Sequence, residues 1–194
     1  MFRELVRMKQ ALSEEECIKI LKEEPRGVLS VQGDDGYPYG TPLNHWYCED
    51  DGHLYFHSGM SGHRIDALKK CDKVSFCVYD QGYRKEADWA LYIKSVIVFG
   101  RMRPVEDHDR AMEICRKLSV KYTDDMEYIR REILHAGPRT LVYELIPEHM
   151  TGKLVHEAGK LKIKNPDKTS VPGSSQKSCP GTLVFLFRKA DKGR

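Results

Sequence analysis

Between Arg26 and Ser58 the chain reads as three extended runs joined by two turn clusters, and this local pattern constrains the fold more than any other feature. Arg26 to Gln32 carries Val28, Leu29 and Val31, and Gly33-Asp34-Asp35-Gly36 then supplies residues that accept turn conformations before Tyr37 to Cys48 returns as the second arm. Glu49-Asp50-Asp51-Gly52 hands over to His53-Leu54-Tyr55-Phe56-His57-Ser58, rich in the aromatic and apolar side chains that suit a pleated surface. Connections this short permit antiparallel neighbours only, so a β-meander is expected here.

The flanking text adds helices and further strands. Ser13-Glu14-Glu15-Glu16 is a capping-box pattern ahead of Cys17, Ile18 and Leu21, and Pro25-Arg26-Gly27 ends that helix. After the small-residue loop Ser58-Gly59-Met60-Ser61-Gly62, the spacing of Ile65 and Leu68 predicts a short helix over His63 to Lys70. Lys73 to Tyr79 alternates Val74, Phe76 and Val78, and Leu91 to Arg103 is a longer β-rich run. Helical spacing returns over Asp107 to Leu118 and Thr123 to Leu134, and Thr140 to Ile146 reads as a final strand before Pro147. About six strands and three or four helices, antiparallel early and helical late, predict an α+β domain built on a small barrel.

At 194 residues one core is expected, over residues 1–160. Residues 161–194 read as a C-terminal tail: Lys162 to Pro180 is rich in Lys, Ser, Pro and Asn, and the apolar Thr182 to Phe187 has no evident place. With 40% hydrophobic and 31% charged residues the chain is expected to be a folded soluble domain. Its 32 basic and 29 acidic side chains balance too closely to suggest nucleic acid, so any anion site must be local. Met1 to Gln10 lacks the apolar core of a signal peptide and no run approaches the roughly 18 apolar residues of a spanning helix, so a cytoplasmic protein with no membrane partner is expected. The six scattered cysteines, with no C-x-x-C, read as reduced thiols.

The segment Tyr55 to Arg64 concentrates the chemistry. It ends a strand, offers small residues that let backbone N–H groups approach an anion, and delivers His63 and Arg64 at a helix start, the ingredients of a phosphate site. Together with Tyr39-Gly40-Thr41-Pro42-Leu43-Asn44 before it and Ser95-Val96-Ile97-Val98-Phe99-Gly100-Arg101 after it, this segment resembles the landmarks of the FMN-binding split-barrel superfamily, the pyridoxamine 5′-phosphate oxidase-like proteins, in its 5-nitroimidazole-resistance branch. There the landmarks run x-x-x-P-L-N, then Y-F-H-[SG]-x-x-x-G-[KR]-[KR]-x-x-x-L, then S-V-x-x-x-G-[RKH]; each is weak alone, but all occur here in order, and the similarity spans roughly Glu14 to Pro147.

The resemblance implies a six-stranded antiparallel split β-barrel with flanking helices, a homodimer, and FMN at the subunit interface. It implies that His57 and Ser58 sit beside the ribityl phosphate and that Gly62, His63 and Arg64 hold the phosphate. Thr41, Pro42, Leu43 and Asn44 would line the isoalloxazine, and Ser95 would reach the flavin from the third landmark, across the dimer. His63 stands where the branch commonly has Lys or Arg, so flavin affinity is expected to fall as pH rises through the imidazole titration.

Competing readings are structural. His45 and Trp46 suit packing as well as a pocket wall, and Arg101 and Arg103 suit salt bridges. His53 and His57 have H-x-x-x-H spacing, but on a strand they would stand roughly 13 Å apart, so no metal is expected. The implied function is a flavin-dependent oxidoreductase passing electrons from a reduced nicotinamide to a small acceptor such as a nitroaromatic or quinone, with no obligatory side-chain acid or base and hence no catalytic residue to name. A non-catalytic flavin or haem binder, a deazaflavin-dependent reductase and a true pyridoxamine 5′-phosphate oxidase are the alternatives, the last lacking a recognisable substrate-phosphate segment after Lys160.

Overall fold

The computed structural model describes residues 2–86 and 88–155; the expected tail at 161–194, with Thr182 to Phe187, lies outside the described residues. The strands are β1 (Arg26–Gln32), β2 (Pro38–Asn44), β3 (Trp46–Tyr47), β4 (Leu54–Ser58), β5 (Lys73–Tyr79), β6 (Tyr83–Arg84), β7 (Leu91–Pro104) and β8 (Leu141–Val155). The helices are α1 (Glu14–Glu23), α2 (His63–Lys70), α3 (His108–Val120) and α4 (Met126–Ala136). Every ladder is antiparallel, and the sheet runs β2-β1-β5-β7-β8-β4-β3, with β6 paired to β7 off this path.

β2 and β3 occupy opposite ends of that path, yet only His45 separates them in the chain. One residue reaches from one edge to the other only if the sheet is rolled until its edges meet. Counted as one strand broken at His45, β2 and β3 join β1, β4, β5, β7 and β8 in the six-stranded antiparallel split barrel of an α+β domain. The alternating positions Leu29, Leu54, Phe56, Phe76, Val78, Val96, Val98 and Leu145 fill its interior with at most 2% exposure. Burial of each such side chain contributes roughly 1.5–3 kcal/mol relative to exposure. Along β4, Leu54 and Phe56 face this core while Tyr55 faces a second cluster with Ala111, Ile114 and Val142, which docks α3.

The break at His45 is held by side chains rather than by a ladder. Its backbone N–H donates to the Tyr122 hydroxyl at 3.0 Å, and its carbonyl lies 3.1 Å from the same oxygen, which also reaches the Pro25 carbonyl. The His45 ring is fully buried, edge-on to Phe76, with Nε2 2.8 Å from the Leu21 carbonyl at the end of α1. Burial, and then the neighbouring Lys121 ammonium, push its pKa down to about 3, so the ring is neutral and Nε2–H is the donor. Lys121 donates to the Leu21 and Glu24 carbonyls at 3.2 and 2.7 Å, and desolvation lowers its own pKa to about 8. The residues just past α3 therefore close both the last turn of α1 and the barrel seam.

β7 and β8 are long enough to pair twice along the barrel, and their ladder shifts register between Phe99 and Gly100. Pro147 pairs with Gly100 at that shift, and β8 continues to Val155 instead of ending at Ile146 as the proline suggested. A Cβ at Gly100 would stand 2.1 Å from the Ile146 carbonyl oxygen, so the position admits no side chain. Arg101 beside it is salt-bridged to Asp72 and Glu148, and Cys17, Cys48, Cys71, Cys77 and Cys115 are free thiols. No helix among the described residues is long and apolar enough to cross a membrane.

Gly100→Ala is expected to cost about 3 kcal/mol or more, read as a lowered urea midpoint, because backbone must move to admit the methyl group. Lys121 has a folded pKa below its unfolded value of 10.5, so between about pH 8 and 10.5 the unfolded chain binds more protons and stability contributed at this site rises with pH. Relative to Lys121→Met, the wild type should gain about 1–2 kcal/mol between pH 8 and 9.5 in urea titrations; parallel profiles would contradict this.

Candidate functional site

The strand-to-helix junction after β4 brings four of the expected residues together. Gly62 is the N-cap of α2 with φ of 130°, a conformation that L side chains rarely adopt, and no side chain caps the helix. The first-turn N–H groups of α2 are therefore left for an external acceptor. Arg64 in that turn donates from Nη2 to the Ser58 hydroxyl at 2.7 Å, fixing the guanidinium against the end of β4. His63 packs against Tyr39 of β2 with ring centroids 4.2 Å apart and planes tilted by 32°, and its Nε2 lies 3.3 Å from Asp34 Oδ2.

Asp34, in the turn between β1 and β2, also accepts from Lys70 Nζ at 2.9 Å; this bond, with His63 contributing, holds its carboxyl below the usual range. Asp34 and Tyr39 thus tie the first hairpin to both ends of α2. Tyr39 belongs to the first landmark segment without a role of its own there, and Asp34 is not legible as a site residue, because a turn aspartate carries no local sign of a partner so far along the chain.

β2 runs past this junction as a terminal strand of the path, hydrogen-bonded to β1 on one side only. Thr41 and Leu43 pair with the core-facing Leu29 and Gly27, so their side chains share the inner face, while Pro42 and Asn44 lie on the outer face opposite Val28 and Arg26. Asn44 Oδ1 accepts from Arg26 Nε at 2.9 Å. Thr41 Oγ1 is buried with no hydrogen-bond partner among the described residues. An orphaned buried hydroxyl costs about 1–3 kcal/mol, and a polar ligand edge would satisfy it. A free strand edge with a waiting hydroxyl, next to an uncapped helix start carrying an arginine, fits a flat polar ring ending in a phosphate.

Two expected residues stand apart. Strand alternation sends His57 to the face of β4 opposite Ser58, where it lines a cavity against α3 and α4. Its ring stays exposed in area, yet partial desolvation, followed by Arg64, holds its pKa below the ordinary value. Ser95 pairs with Tyr79 and is separated from β2 by β1 and β5, three strand spacings or ~14 Å within one protomer. Trp46 stacks on Tyr55 with Lys117 over its ring, which is packing.

A family model described as pyridoxamine 5′-phosphate oxidase matches residues 13–154. The chain belongs to that family. Among solved structures, the flavocytochrome Anf3 from Azotobacter vinelandii is 18% identical with a TM-score of 0.68, covering 96% of this chain and 92% of its own. A protein from Bacteroides thetaiotaomicron named for 5-nitroimidazole antibiotic resistance is 19% identical with a TM-score of 0.62, over 75% and 87%. An FAD-binding protein from Mesorhizobium loti is 25% identical with a TM-score of 0.54, over 75% and 97%. These likenesses establish the shared split-barrel fold. No curated protein sequence matches the chain.

Removing the orphaned hydroxyl should help the ligand-free protein. Thr41→Val is expected to raise the stability of the flavin-free chain by about 1 kcal/mol in urea unfolding, whereas a hydroxyl satisfied within the fold would make the same change destabilising.

Proposed function

We propose that this chain binds FMN and is a flavin-dependent oxidoreductase, passing electrons from a reduced nicotinamide to a small acceptor such as a nitroaromatic or a quinone. The observation that carries the reading is the α2 N-terminus, open above Gly62 with Arg64 braced on Ser58, set beside the free edge of β2 and the unpaired Thr41 hydroxyl. Family membership and neighbours whose names record FAD or flavocytochrome character add to it. FMN would supply two-electron and one-electron transfer chemistry. The chain's part is to bind and orient: the α2 amides and Arg64 take the phosphate, His63 adds a donor, and Thr41 with the β2 backbone faces the ring's polar edge.

A second copy of the chain completes the reading. The outer face of the sheet presents the small, half-buried Val28, Ser30, Ser75 and Cys77 with the exposed Ile97, a surface suited to a homodimer. Packing there would carry Ser95 of one protomer toward the flavin of the other, which a distance of three strands otherwise forbids.

The test is absorbance and flavin-fluorescence titration of the wild type and Arg64→Ala with FMN, with chromatography of any chromophore that copurifies. Flavin bands near 450 nm in the wild type (roughly, as flavin electronics require) and about 10–100-fold weaker binding in the variant are expected, from the loss of a charge-assisted phosphate contact. A Soret band in place of flavin, or equal affinity in both proteins, would overturn the assignment.

A further inference from the structure

The face of β4 opposite Ser58 opens onto a separate, half-open cavity. It holds about 260 Å³ between β4, α3, α4 and the turn at Gly137–Arg139. Met112, Cys115, Ile129 and Ile133 make its walls apolar and sulfur-rich. Five polar side chains also line it: His57, Ser119, Tyr128, Glu132 and Thr140. Thr140 donates its hydroxyl to the Ala136 carbonyl at 2.9 Å, whereas the other four make no side-chain hydrogen bond or ion pair with another described residue. By contrast, Glu113 and Glu127 on the same two helices are each gripped by an arginine three residues on, through paired bonds of 2.7–3.1 Å. An apolar pocket with a few uncommitted polar groups is the usual composition of a small-molecule site.

The charges select the ligand. Among the described residues Glu132 is the only acidic group on the cavity wall, and no lysine or arginine joins it there. Arg131 and Arg139, the nearby cations of that segment, are not among its walls, and Arg116 and Arg130 are committed to Glu113 and Glu127. Arg64 lies across β4, bonded to Ser58, and its charge reaches the cavity only at His57. His57, with its pKa lowered, presents a neutral imidazole with one acceptor nitrogen. Drug-sized ligands occupy roughly 300–1,000 Å³, so this volume suits a single ring. Sulfur at Met112 and Cys115 favours an aromatic one.

We propose that the cavity between β4, α3 and α4 is a second ligand site, taking a small monocyclic aromatic amine whose ammonium is held by Glu132 and the His57 imidazole. It lies on the opposite face of β4 from the flavin site and differs from it in chemistry: that site is built to attract an anion, this one a cation.

Methyl NMR of the full chain, with the Met112 resonance assigned through Met112→Leu, tests the assignment with benzylamine, its neutral isostere benzyl alcohol and the anion benzoate as probes. Benzylamine should shift the Met112 methyl saturably and bind about fivefold tighter than benzyl alcohol, the margin of one partly exposed ion pair, with benzoate weakest. Glu132→Gln, at an exposed helical position, should erase the benzylamine advantage and leave benzyl alcohol unchanged. No saturable shift at Met112, benzoate binding as tightly as benzylamine, or an unchanged preference in Glu132→Gln would each overturn the proposal. FMN binding is read separately, so failure here leaves the flavin reading standing and the reverse.

Discussion

Closure of the sheet through a single residue is the constraint on which the rest of this molecule depends. Because β2 and β3 lie at opposite ends of the strand path and only His45 joins them, the barrel seam has no ladder of its own there. Its backbone groups would be unsatisfied without the Tyr122 hydroxyl, and the ring would lack its bond without the Leu21 carbonyl. Two residues just beyond α3 thereby serve three distant elements: the end of α1, the start of β1 and the seam. The interior β residues contribute more free energy in total, but any rolled sheet could bury them; the His45 cluster decides where this one meets itself.

The seam also sets up the candidate site. Holding the end of β2 against α1 leaves the outer edge of β2 free along Tyr39 to Asn44 and swings it past the start of α2, where Tyr39 meets His63. The rules of self-consistent folding are broken at this place: a buried hydroxyl lacks a partner and a helix begins without a cap. Such lapses collect where a ligand completes the structure. The acidic cavity on the other face of β4 follows from the same strand, since alternation turns neighbouring side chains toward opposite surroundings.

Much of this was written in local sequence pattern, and what was not has identifiable causes. The bounds of β1, α2 and β5 follow directly from apolar periodicity interrupted by glycine, proline or charged turns. The capping box at Ser13 and Glu16 is formed as read. Tyr37 to Cys48 reads as one strand because nothing local marks His45; its partners come from α1 and α3, far away in sequence. β8 is longer than read because Pro147 resembles a terminator, while the register shift opposite Gly100 accommodates it. The phosphate-type junction was legible because glycine, arginine and a helix start are adjacent. The divergence of His57 from Ser58 was available in the period of the strand, but adjacency in a motif masks it. Asp34 was beyond reach, since its ligands arrive on a later helix.

The late pairing of β8 has a consequence for how the protein is made. β4 has only the two-residue β3 beside it until Leu141 to Leu145 arrive to pair with it, and β7 likewise waits for its neighbour. On a ribosome working from the N-terminus, the meander and both faces of a half-finished sheet must therefore persist with open hydrogen-bonding edges through the synthesis of α3 and α4. Nascent chains stalled before residue 141 would be the form most prone to join other strands, and the form a chaperone would have most reason to hold.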